Sequence, residues 1–226
     1  MPSSSKEPEL PNNLTTNENN GLKEIVTFYS GQIHFAKGAT PATADSPQNR
    51  FFEVTLSDSE TIDKLADQAS LPASNMAWLM YKNMGTEVNN YDEIHSALVF
   101  GDGKKVTTKF PVSDLKIVAK KMVLLNKIVS IIKSRRYGDL RPYINDKELF
   151  DYDKEEIIKK LIDLDDDFGT VSSFSPFGFK RNKTIDGKSI LHISGHIIRA
   201  KMNNEFSIAV DMNSDKEEVL FLQYEL

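Results

Sequence analysis

Four stretches near the C-terminus, Val171 to Phe179, Ser189 to Lys201, Glu205 to Met212 and Glu218 to Tyr224, alternate apolar and polar residues with a period of two. That period marks half-buried strands. The links between them, Asp186-Gly187, Asn203-Asn204 and Asn213-Ser214-Asp215, are short turn formers that cannot carry a parallel crossover, so the strands must form an antiparallel meander. Alternation places Leu191, Ile193, Gly195 and Ile197 on one face, with Phe206, Ile208, Val210, Leu220, Leu222 and Tyr224, and this face needs a cover of helices. The reverse face carries Ile190, His192, Ser194, His196, Ile198, Ala209, Val219 and Phe221. It is more apolar than a water-facing sheet requires, and predicts cover by the first unit, by a second copy of the chain or by a protein partner.

The cover is supplied upstream. Leu115, Val118, Met122, Leu125, Ile128 and Ile132 recur at intervals of three and four and predict one long helix, with Pro111-Val112-Ser113-Asp114 as its boundary and cap. Lys116, Lys120, Lys121, Lys127, Lys133, Arg135 and Arg136 lie off that stripe. The segment Asp146 to Asp167, with ten acids and four bases, can offset them. Tyr137 to Ile144 reads as a short turn-helix connection. Asp153 and Glu156 then open a second helix carrying Ile157, Ile158, Leu161, Ile162 and Phe168, closed by Gly169.

A long helix, the stretch Lys133-Ser134-Arg135-Arg136-Tyr137-Gly138-Asp139-Leu140, a helix closing at Phe168-Gly169 and a curved meander together resemble the nuclear-transport-factor-2-like fold over residues 113–226, in particular its small bacterial versions. The resemblance implies a cone with a helix-lined pocket over a concave sheet, suited to a small apolar ligand, and dimerisation through the other sheet face. Some members of that family are enzymes with Asp, His or Tyr in the pocket; many only bind or scaffold.

Ahead of this C-terminal domain, residues 22–110 read as a ββααββ unit. Ile25, Thr27 and Tyr29 alternate with Val26, Phe28 and Ser30, Gly31 suggests a bulge before Gln32 to Phe35, and 36–50 has the composition of a loop. Phe51 to Leu56 resumes extended structure. Ser57 and Glu60 have capping-box spacing for a helix from Asp58, and Met76, Ala77, Met80 and Met84 mark another helix ended by Gly85. Ile94 to Phe100 and Lys105 to Phe110 flank Gly101-Asp102-Gly103 as a hairpin. Blocks of helix and strand in this order predict an α+β protein of two domains. Residues 1–21, rich in Ser, Pro, Asn, Thr and Glu, read as a disordered leader.

With a formal charge of −5 over 226 residues the chain repels polyanions, which disfavours nucleic acid as a partner. The longest apolar runs fall far short of a membrane span. The start Met1-Pro2-Ser3-Ser4-Ser5 has neither a basic nor an apolar signal region. That implies a cytoplasmic protein or, if Met1 stands in place of a processed signal, an envelope protein tethered through the leader.

Chemical motifs fail on spacing. His192 and His196 lie four apart on a strand, roughly 13 Å, too far to share one metal ion. Asp163-Leu164-Asp165-Asp166-Asp167 places Phe168 and Phe174 where a calcium loop needs Gly and Glu. Gly187-Lys188-Ser189 lacks the first glycine and the helix of a phosphate loop. The absence of cysteine removes thiol catalysis. No catalytic set, metal or cofactor is implied, and the sequence favours a non-enzymatic binding or assembly module. Its candidate pocket or interface residues are Tyr137, Tyr143, His192, His196, Val219 and Phe221. The alternative is a small-molecule hydrolase or isomerase using Tyr137, Tyr143, His192 or His196 as acid or base.

Overall fold

In the computed structural model, which describes residues 13–42, 48–145, 153–184 and 186–225, the C-terminal alternation becomes the expected meander. Strands β5 (Val171–Lys183), β6 (Ser189–Arg199), β7 (Asn204–Asp211) and β8 (Phe221–Glu225) lie in sequence order, each pair antiparallel. Leu191, Ile193, Ile197, Phe206, Ile208, Val210 and Leu222 are buried on one face. They share a core with helix α4 (Val112–Lys133), whose predicted stripe is buried along its whole length, and with α5 (Lys154–Phe168). Ile162, expected on the buried side of α5, is exposed. β8 starts later than the sequence pattern suggests; Val219 instead bridges Ile144.

Helix ends differ in how they are closed. Asp153 caps α5 by accepting the Glu155 N–H at 2.8 Å. No side chain caps α4, contrary to expectation: Ser113 and Asp114 fall inside its first turn, and Asp114 pairs with Arg181 of β5 instead. The basic residues of α4 find other partners than the acid-rich segment, of which 146–152 lie outside the described residues. Lys127 meets Glu217, Lys121 and Lys133 donate to the Ser214 and Ser172 carbonyls, and Arg135, just past the helix, pairs with Asp165 among the described residues of that segment.

The largest correction concerns residues 22–30, which form helix α1 (Thr16–Tyr29) and not a strand. Their β-branched and aromatic residues imitate period two, but Leu22, Ile25 and Tyr29 are the buried ones, at helical spacing. A capping box starts the helix: Thr15 Oγ1 accepts from the Glu18 N–H and Glu18 accepts from the Thr15 N–H. Residues 16–21 therefore belong to a helix and not to a leader; 1–12 lie outside the described residues. Gly31, at φ +92°, is no bulge but the turn from α1 into β1 (Gln32–Thr40). Much of the expected loop 36–50 is strand, in β1 and β2 (Asn49–Ser57), with 43–47 outside the described residues. Ser57 ends β2 opposite Gln32 of β1, and the cap of the one-turn helix α2 (Glu60–Asp63) is Ser59, whose hydroxyl accepts the Ile62 N–H.

Helix α3 (Ser70–Met84) and the hairpin β3 (Glu93–Val99) and β4 (Lys105–Pro111) complete the first sheet, ordered β1-β2-β3-β4. β2 and β3 are parallel, the one pair in the sheet that needs a crossover, and α2 with α3 supplies it. The fold is α+β, and the first unit is ββααββ with α1 added in front. Among the described residues, no helix is long and apolar enough to cross a membrane.

α3 joins the two sheets. It packs on α1, on β3 and β4, and on β5. At β5 the approach is backbone on backbone: a Cβ on Gly178 would lie 2.6 Å from the Leu71 carbonyl oxygen. Beside it Ser74 Oγ donates to the Leu71 carbonyl and accepts the Phe179 N–H, both at 2.8 Å. The buried residues accordingly form one cluster running from Leu22 to Leu222.

Two outcomes follow. Gly178→Ala should destabilise the fold by about 1–3 kcal/mol because backbone must move to admit the methyl group, and urea titration beside Gly138→Ala, whose Cβ would meet only the end of the Arg141 side chain at 3.1 Å, isolates the contact from the glycine itself. Buried Glu18 accepts from Lys37 and Tyr91, both at 2.6 Å, and from the Thr15 N–H at 2.9 Å. Burial opposes its ionisation, yet those donors outweigh burial and hold its carboxyl below the ordinary 4.5. A depressed carboxylate stabilises the fold above its unfolded pKa, and that stability is lost as pH falls through the folded one. Glu18→Gln should thus flatten the loss of stability below about pH 4.5 in acid titrations.

Candidate functional site

The residues singled out in the sequence do not converge. Tyr137 lies in the interior, on the 3₁₀ segment Tyr137–Tyr143 that follows α4, and donates its hydroxyl to Asp165 of α5. Burial, then the bond and charge of Asp165, push that phenol well above its usual range. Tyr143 sits half-buried at a surface cleft between α4 and the same segment, with Lys127 Nζ 4.7 Å from its ring centre. Val219 is fully buried, and its N–H donates to the Tyr143 carbonyl at 2.7 Å. His192 and His196 are on the reverse face of the meander. His192 is half-buried, and burial, then Lys180, lowers its pKa. His196 is exposed with its ring 4.9 Å from that of Phe177. The reverse face as a whole is less open than its composition suggests: Ile190, Ala209 and Val219 are buried and Ile198 and Phe221 half-buried.

Asp165, which the sequence places in an acidic helix end, is instead the centre of a buried polar cluster. It accepts from Tyr137 and from Arg199 at the end of β6, and forms an ion pair with the half-exposed Arg135, whose Nε lies 3.2 Å away. Arg199 also donates to Asn204 Oδ1 at 2.8 Å and to the Gly169 carbonyl at 2.9 Å. Tyr224, whose phenol burial raises strongly, lies within the field of this group. A carboxylate already holding two donors and paired with two guanidinium groups is poorly placed to take a proton from a substrate. The cluster ties the end of α5 and the 3₁₀ segment to the β6–β7 turn. Among the described residues, no group of three His, Asp or Glu side chains is placed to hold a metal ion.

A different site appears where the sheets approach each other. A cleft of about 420 Å³ is lined by Thr108, Lys109 and Phe110 of β4 and by Phe179, Lys180 and Arg181 of β5, with Ser70 at the start of α3. Its volume is within the range of ligand sites. Phe110 and Phe179 meet edge to face at 5.7 Å. β4 and β5 are the terminal strands of their sheets and exchange no backbone hydrogen bond. Lys109 and Lys180 are exposed and have no ion pair among the described residues, whereas Arg181 is paired with Asp114. The sequence shows β4 as one arm of a hairpin, and the lysines flanking its alternation, Lys105 and Lys109, are the one local sign of an edge.

No family model, no curated protein and no solved structure matches the chain.

Removal of one charge from the buried cluster should be costly and removal of two less so. Arg199→Met or Asp165→Leu alone should lose about 3–5 kcal/mol in urea unfolding, while the double variant should be more stable than the sum of the singles implies. Additive losses would contradict a coupled pair.

Proposed function

We propose that the chain is a non-enzymatic binding or assembly module that works through the cleft between its two sheets. The observation that carries this reading is the cleft itself, where an aromatic floor, two cations without an ion pair among the described residues and the edges of two terminal strands, that of β5 partly capped, occur together. The position of the acid-base candidates also favours binding over catalysis, since Tyr137 is committed to Asp165 and the histidines lie on another face. The helix-and-meander order of 113–226 is compatible with a nuclear-transport-factor-2-like scaffold. On this reading the working surface is the seam beside that scaffold, and the reverse face of the meander is secondary.

A photo-crosslinking residue tests the proposal. Placed at Lys180 in the chain expressed in its own host, it should give a discrete protein adduct; at exposed Ile162 of α5 it should not. Thr108→Trp, which fills the cleft, should remove the adduct while the chain stays folded by circular dichroism. Equal labelling from both positions, an adduct unaffected by Thr108→Trp, or none from Lys180 would sink the reading.

A further inference from the structure

The ladder between β3 and β4 fixes which backbone groups of β4 are free. Val112 N–H donates to the Asp92 carbonyl at 2.9 Å and Phe100 N–H to the Lys104 carbonyl at 3.0 Å. The register between them pairs Ile94 with Phe110, Ser96 with Thr108 and Leu98 with Val106. In an antiparallel ladder hydrogen-bonded pairs alternate with non-bonded ones. Val106, Thr108 and Phe110 therefore bond to β3, and Lys105, Thr107 and Lys109 direct their N–H and C=O groups away from the sheet. Pro111, which has no N–H, ends that row. The same argument on β5, from Thr184 N–H to the Lys188 carbonyl at 2.9 Å, turns Phe179, Arg181 and Lys183 outward. The α3 hydroxyl of Ser74 already takes the Phe179 N–H, so β5 is partly capped and β4 is not.

We propose that β4 accepts an extended, acidic segment of a partner protein as a fifth strand of the first sheet, seated in the cleft. This rests on the binding-module reading and names the partner's chemistry. Main-chain bonds to Lys105, Thr107 and Lys109 supply affinity, and side chains on alternate sides supply selectivity. One set of the guest's side chains lies on the face of Thr108 and Phe110, where Phe179 completes an apolar floor. The other set lies beside Lys109, which has no ion pair among the described residues, and beside Lys105, which already pairs with Glu53 of β2 at 3.4 Å, so acids are favoured and bases repelled chiefly at Lys109. A second copy is a poor guest: antiparallel pairing of two β4 strands about Thr107 would set Lys105 opposite Lys109.

The test uses the full chain and two capped peptides, Glu-Val-Asp-Phe-Glu-Val-Asp and its counterpart with lysine at every acidic position, in isothermal titration calorimetry. The acidic peptide should bind at least about tenfold more tightly than the basic one, and more weakly as salt rises. Lys109→Glu should invert the preference. Thr107→Pro, which removes one outward N–H on an edge where proline is tolerated, should weaken binding about tenfold with an unchanged thermal midpoint; should that variant unfold, the inversion by Lys109→Glu alone decides. Equal binding of both peptides, no binding of either, or a salt-stable dimer of the chain lost in Lys109→Glu would overturn the proposal. If the Lys180 adduct persists alongside any of these results, the fault lies in the acidic-strand assignment and not in the binding reading. If the adduct is absent as well, both fall.

Discussion

The contact between the first turns of α3 and β5 governs the rest of the molecule. Because Gly178 has no side chain, the helix backbone at Leu71 comes against the strand, and Ser74 fills the hydrogen-bonding place that a neighbouring strand would otherwise take at Phe179. The contact welds two four-stranded sheets into one core, with the start of α3 as a wedge packed against both β4 and β5. The seam consequently joins the halves without closing fully, with a cleft left open beyond the wedge.

The far end of the meander is held differently. There Asp165, Arg199, Tyr137 and Asn204 exchange charge-assisted bonds. Burying such a group gains little net stability over apolar packing, but a wrong placement leaves a bare charge inside, so the pair fixes how α5 and the β6–β7 turn meet. One end of the sheet is thus specified by polar geometry and the other by close backbone approach. The second leaves the edges of β4 and β5 and the cations Lys109 and Lys180 beside an open cleft.

Legibility in the sequence followed the physics of each element. The meander was readable because its period is strict and its links are too short for any other topology, and α4 because its stripe runs unbroken through Ile132. α1 was misread because Ile25, Val26, Thr27 and Tyr29 favour strands locally, and only Met80 packing on Gly21 with the Glu18 network reveals the buried side. The Asp165 cluster joins residues dozens of positions apart, so no local spacing announces it; an arginine at an inward position of β6 was the sole hint. The parallel pairing of β2 and β3, the wedge at Gly178 and the cleft are tertiary outcomes. Once the strands are ordered, though, the lysines of β4 identify the free edge.

The central claim is that β4 presents alternate backbone amides to the cleft with nothing bonded to them among the described residues. Residue-resolved amide hydrogen exchange on the unbound chain tests it most directly. The account predicts rapid exchange at Lys105, Thr107 and Lys109 and slow exchange at Val106, Thr108 and Phe110. Uniform protection along β4 would mean the edge is already occupied within the chain, and would contradict the account.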